Sequence, residues 1–214
     1  MEKLKENKKT IIITSIIILL PILVGLFMWN KLPNEIATHF DGNGVANGWS
    51  SKTFAVFGFP AFIFACHLVC AFITSADPRR QQISDKIFKL ILWICPAVSW
   101  FGAISIYGNS LGWEYNTATA GMILVGILFI VIGNYLPKCR QNYTVGIKLP
   151  WTLHDEENWN RTHRLAGKIW MAGGVLFLIL AVSGYGSTVI MPIIMLVIVF
   201  VPVVYSCLYY VKHK

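Results

Sequence analysis

Two polar intervals hold most of the side chains in this sequence that could do chemistry. Residues 30–52 read NKLPNEIATHFDGNGVANGWSSK and carry Glu35, His39 and Asp41. Residues 142–168 read NYTVGIKLPWTLHDEENWNRTHRLAGK and carry His154, Asp155, Glu156, Glu157 and His163. Imidazoles and carboxylates at this density are the raw material of general acid–base catalysis or of a metal site.

The spacing obstructs each of these chemistries. Asp41, Asn43 and Asn47 look like the start of an EF-hand loop, but the twelfth position counted from Asp41 is Lys52, where a bidentate Glu is required. Calcium in that mode is excluded. His39 and Asp41, with Glu35 nearby, remain weak candidates for a transition-metal site, which wants four ligands. In the second interval there is no HExxH, and His154 and His163 lie nine residues apart, about 180° around a helix, so they share no face. No nucleophile elbow, P-loop or pair of carboxylates within an apolar run occurs. Cys66 and Cys70 flank His67, but CxxxC in an apolar helix reads as two small packing residues beside a His that bonds to a neighbouring helix. We therefore expect no enzyme activity, metal or cofactor. The alternative that uses the polar residues chemically is a membrane enzyme or a small lipid or solute transporter.

The elements that must position these intervals are apolar. With 56% hydrophobic and 13% charged residues in 214, the chain has too little polar surface to coat a water-soluble globule. Six runs, 11–29, 53–76, 87–107, 118–136, 165–183 and 188–211, approach the roughly 20 residues that an apolar helix needs to cross a bilayer core. The expected fold is all-α: a polytopic integral membrane protein with six transmembrane helices, forming a single membrane domain over 1–214. The first run is longer than a signal-peptide core and lacks a small-residue cleavage pattern after it, so it is expected to stay as an anchor.

Charge sets the orientation. Placing the N-terminus inside leaves only Lys31 and Lys52 outside, so 16 of the 18 Lys and Arg residues (18 minus 2) fall on the cytoplasmic face. Both termini are then cytoplasmic, 30–52 is an extracellular turn-rich loop, and 137–168 is a cytoplasmic loop with a short interfacial helix. The net charge of +8 is divided among four cytoplasmic segments, which argues against direct nucleic-acid binding and for contact with anionic membrane lipids. The five cysteines offer no exterior pair, so structural disulfides are not expected.

Local grammar refines the loops. Asp41-Gly42, Asn43-Gly44 and Asn47-Gly48 predict a compact series of turns, with Phe40 and Trp49 at the membrane interface. Thr152 followed by Asp155 forms a capping-box variant that opens a helix after Pro150. On that helix Glu157 and Arg161, and Trp159 and His163, stand four apart and can pair. Trp159, His163 and Arg164 would then present an aromatic and basic patch suited to a protein partner.

The segment from Gly133 to Lys168 resembles the signature region of the SdpI immunity-protein family in its Gly-Asn-Tyr-Leu-Pro, Asn-Tyr-x-x-Gly-Ile, Pro-Trp-Thr-Leu and Trp-x-x-Thr-His-Arg-x-Ala-Gly elements. The outer stretch from Leu32 to Lys52 resembles a small membrane module that often precedes it. The resemblance implies a bacterial plasma-membrane protein that protects its producer from a secreted peptide toxin. It further implies that the toxin-engaged protein holds a small winged-helix repressor at the membrane. Lys148 stands where the family pattern often has Arg, which keeps the charge but loses the planar fork. Toxin binding is expected in the outer loop at Glu35, His39, Phe40, Asp41 and Trp49. Repressor docking is expected in the inner loop at Asn142, Gly146, Lys148, Trp151, Thr152, Asp155, Trp159, Thr162, His163 and Arg164.

Overall fold

A computed structural model describes residues 2–184 and 190–213. The start of the sixth expected run, residues 188 and 189, and Lys214 of the charge balance lie outside the described residues. A short helix α1 (Glu2–Glu6) precedes α2 (Lys8–Phe27), and a two-stranded hairpin follows, β1 (Glu35–Phe40) and β2 (Ala46–Ser51). A π-helical turn, Phe54–Gly58, leads into α3 (Phe59–Ala76), and α4 covers Asp85–Ser110. Then come α5 (Thr117–Tyr135), prolonged by a 3-10 turn Leu136–Lys138, the short α6 (Pro150–His154), α7 (Glu156–Ser183) and α8 (Ile190–His213). Among the described residues six helices, α2, α3, α4, α5, α7 and α8 with their flanking turns, are long and apolar enough to cross a membrane. Side chains such as Leu23, Phe27, Phe62 and Val182 stand exposed on them, as lipid-facing positions do.

The chain divides into two compact units, Met1–Ser75 with Phe88–Gly121, and Ala76–Ile87 with Met122–Lys214. In the first, Leu32, Ile36, Ala55, Val56, Ala103, Ile106 and Tyr107 form a buried cluster that seats the base of the hairpin. Pro21 sits inside α2 and has no N–H, which leaves the carbonyl four residues earlier unpaired. That carbonyl, Ile17 O, accepts from Trp100 Nε1 at 3.0 Å. Close by, Ile18 O accepts from Ser99 Oγ at 2.9 Å and Pro21 O from Tyr107 Oη at 3.1 Å. Hydrocarbon offers no water to a freed carbonyl, so side chains of α4 take that place.

The second unit repeats the device. Pro202 interrupts α8, and the freed Ile198 O accepts from Trp170 Nε1 of α7 at 3.2 Å. Phe177, Ile194 and Ile198 pack beside it with Met122 and Ala181. The α5 and α7 backbones approach closely at two glycine pairs. A Cβ on Gly126 would stand 2.9 Å from Gly174 O, and one on Gly133 would stand 2.9 Å from Gly167 O. Both pairs are seven residues apart on each helix, two turns along one face, as small-residue packing in membranes requires.

Candidate functional site

The interval between α5 and α7 folds into a polar cap organised by buried side chains. Asn142 is wholly buried; its Oδ1 accepts from the backbone N–H groups of Thr144 and Val145 at 2.9 and 2.7 Å. Its Nδ2 donates to Arg140 O at 2.8 Å. Trp159, also wholly buried, donates from Nε1 to Cys139 O at 2.8 Å and stacks on His163 with ring centroids 4.0 Å apart. His163 Nε2 accepts from the Ile147 N–H at 2.9 Å, so the ring proton lies on Nδ1, which donates to Trp159 O at 2.8 Å. Gly146 passes over these rings with φ +115, where a Cβ would collide with His163 Nε2 and lie 3.0 Å from the Trp159 ring. Only glycine meets both demands.

The cap is tied to its surroundings within the same unit. Asp77, after α3, is 3% exposed and accepts from Arg79 N at 2.7 Å, from Tyr143 N at 2.9 Å and from Thr144 Oγ1. Arg79 donates to Gln141 Oε1 and lies over the Tyr143 ring, while Gln141 Nε2 donates to Thr152 O at 2.7 Å. On the other flank Asn158 Nδ2 donates to Ser206 O at 3.0 Å and Asn158 Oδ1 accepts from Thr162 Oγ1 at 3.0 Å. Trp151 Nε1 donates to Ser206 Oγ at 2.6 Å. Trp151, half-buried, is therefore joined to α8.

The single helix expected through His154 and Glu156 is in fact two. Thr152 Oγ1 accepts from Leu149 N at 2.9 Å and so closes the start of α6, which ends at His154. Asp155 then caps α7, accepting from Glu157 N at 2.8 Å and Asn158 N at 3.0 Å. An Asp that has to cap a new helix cannot also sit inside the previous one, which is why the chain breaks there. The expected pairs do form: Arg161 Nη2 lies 2.7 Å from Glu157 Oε1, and Trp159 stacks on His163.

Of the residues expected to meet a partner, Asn142, Thr152, Trp159, Thr162 and His163 are buried, and their polar atoms bond within the unit. The expected Trp159 and His163 surface patch therefore points inward. Gly146, half-buried, covers it. Lys148 and Arg164 are exposed, and Tyr143, which was not singled out, is 47% exposed. Lys148 Nζ donates to Thr144 O at 2.9 Å. Burial pushes the Cys139 thiol up to about 11, against the opposing hydrogen bond from Asn142, which keeps it protonated at neutral pH.

The interval 30–52 also differs from a plain series of turns. Glu35 pairs with Ser51, Ala37 with Trp49 and Phe40 with Ala46 across an antiparallel ladder with bulges near His39. Asp41 Oδ1 accepts from Asn43 N and Val45 N, both at 2.9 Å, and Gly44 takes φ +81 to close the loop. His39 Nδ1 donates to Asn47 Oδ1 at 2.5 Å. Asp41 is thus a turn former, and among the described residues no group of three or more His, Cys, Asp or Glu is placed to hold a metal ion. Phe40 is half-buried, whereas Glu35, His39 and Trp49 are exposed, Trp49 at 60%.

Sequence reasoning missed Asp77, Arg79, Gln141, Asn158 and Ser206. Asp77-Pro78 was legible as a turn, but its partners Tyr143 and Thr144 lie more than sixty residues away. Asn158 stands one helical turn before Thr162, a spacing that could have marked the pair.

Comparisons with known proteins agree with this division. Residues 138–206 match the SdpI/YfhL protein family, a stretch running from the entry of the cap to Ser206. Residues 16–64, covering most of α2, the hairpin and the start of α3, match a domain of unknown function, DUF1648. Immunity protein SdpI of Bacillus subtilis (strain 168) is 29% identical over 201 residues, which cover 92% of this chain and 92% of that protein. The resemblance read from the Gly133 to Lys168 signature holds. No solved structure matches.

Proposed function

We propose that this chain is a membrane immunity protein of a bacterial plasma membrane, protecting its host from a secreted peptide toxin by binding it without covalent chemistry. The observation that carries the reading is the match to an immunity protein over 92% of both chains. The alternative of a membrane enzyme finds less support. Both His163 ring nitrogens are engaged, the Cys139 thiol is held protonated, and Asp77 and Asp155 accept backbone N–H groups.

The orientation proposed places both termini and the polar cap in the cytoplasm and the hairpin outside, because 16 of 18 cationic residues then lie inside. The exposed Glu35, His39 and Trp49 of the hairpin, with the half-buried Phe40, are the proposed toxin contacts. The proposed repressor-docking surface is the exposed rim of the cap, Tyr143, Lys148 and Arg164, with the buried residues as its support. The test is expression in a toxin-sensitive cell followed by challenge with the peptide-containing supernatant of a producing strain. Survival above an empty-vector control supports the reading. Unchanged killing, with insertion verified in the membrane fraction, overturns it.

A further inference from the structure

Beside the cap, within the second unit, an open cleft of about 320 Å³ gathers Lys86, Lys138 and Arg140 with the polar side chains of Gln81, Gln82 and Ser84. Among the described residues, none that lines it is a carboxylate. Lys138 and Lys86 stand at the ends of two candidate spans, Thr117–Lys138 and Asp85–Ser110, so the cleft lies where a hydrocarbon core gives way to headgroups.

The wall holds one of these cations in place. Lys138 Nζ donates to Asn134 Oδ1 at 3.3 Å and lies 5.1 Å from the centre of the Tyr135 ring, which also lines the cleft. The Arg140 backbone is fixed through the bond from Asn142 to its carbonyl, while its side chain is exposed. Ser84 Oγ accepts from Ile87 N at 3.4 Å at the start of α4, where Asp85 stands in the first turn. Three cations and amide donors around a headgroup-depth opening have the chemistry of a phosphate receptor.

We propose that this cleft is a binding site for a phosphate-bearing anion, supplied by the headgroup of an anionic phospholipid such as phosphatidylglycerol. Lys86 and Lys138 act as point charges on the phosphate and Arg140 supplies planar N–H donors. The amides of Gln81 and Gln82 suit the glycerol hydroxyls of such a headgroup.

Native mass spectrometry of the full chain, released from detergent with added phosphatidylglycerol or phosphatidylcholine, tests it. The K86Q/K138Q/R140Q variant is compared with K5Q/K8Q/K9Q, which removes the same charge from the exposed N-terminal segment, and with Arg140→Gln alone, whose exposed side chain can change without disturbing the fold. Bound phosphatidylglycerol should fall about tenfold in the triple cleft variant, measurably in Arg140→Gln, and by less than about twofold in the N-terminal variant. Phosphatidylcholine should bind poorly throughout. Displacement of the lipid by inorganic phosphate at low concentration would keep the anion site and identify a soluble phosphate as its ligand. Equal losses in both triple variants, unchanged binding by Arg140→Gln, or equal retention of the two lipids would overturn the proposal.

Discussion

His163 Nε2 accepts the backbone N–H of Ile147 at 2.9 Å across sixteen residues of sequence, and its other nitrogen donates to Trp159 O. One tautomer of one side chain thereby holds the loop Asn142 to Leu149 against α7. Protonating Nε2 would set N–H against N–H.

That relationship predicts the behaviour of His163→Ala. Leaving the half-buried Ile147 N–H without an acceptor and opening a cavity beside the buried Trp159 should cost about 3 kcal/mol. Gly146→Ala, which drives a Cβ into the same ring at φ +115, should behave alike. Both variants should lose monodispersity at lower temperature in detergent size-exclusion runs, and should lose survival under toxin together with any repressor recruitment. Normal thermal behaviour with recruitment alone lost would return His163 to the surface role that its spacing from Trp159 invited.

The Trp170 and Pro202 pairing predicts a double-mutant cycle. Trp170→Phe strands Ile198 O in an apolar setting and should destabilise by about 1 kcal/mol, the scale of interhelical hydrogen bonds in membranes. Pro202→Ala restores a backbone N–H for that carbonyl, so Trp170→Phe should cost less in the Pro202→Ala background. Unfolding in mixed micelles measures both arms. Strict additivity would show that the Trp170 bond to Ile198 O contributes nothing.

Cys139 gives a pH prediction. Its folded thiol is pushed up to about 11 from an ordinary value of 9.0, so the unfolded chain releases a proton at lower pH than the folded one. The stability attached to this thiol is full below about 9 and falls as the pH rises towards 11, because the unfolded state then binds fewer protons. Maleimide should accordingly label Cys139 slowly at neutral pH in the folded protein and rapidly once it is denatured. Fast labelling of the folded protein would contradict its burial.

Because Cys139 is buried, orientation needs exposed probes. In a cysteine-free background, Asn47→Cys should react with an impermeant maleimide in intact cells, and Lys148→Cys only after permeabilisation. The reverse pattern would invert the topology.

Much of this architecture is legible in the sequence because length and apolarity alone define a span, and all six were read that way. The hairpin was not legible. Its buried Ile36 and Ala37 are adjacent and so do not alternate as a half-buried strand should, while Asp41-Gly42 advertised turns. In the cap, the spacing of four placed Trp159 and His163 on one face correctly. Spacing does not say whether that face looks outward, and here Gly146 and Cys139 cover it. Asp77 escaped for a related reason: a carboxylate whose partners are backbone N–H groups of a distant loop leaves no periodic trace.

Protection by binding without chemistry is tested most directly by recovering the toxin itself. The full chain in lipid nanodiscs is incubated with the secreted peptide from a producing strain, separated by size exclusion, and the peptide in each fraction is weighed by mass spectrometry. The account predicts that the peptide co-elutes with the nanodiscs carrying this chain, not with empty ones, and is released at unchanged mass. Peptide of altered mass, or no retention by a chain that nonetheless protects cells, would contradict it.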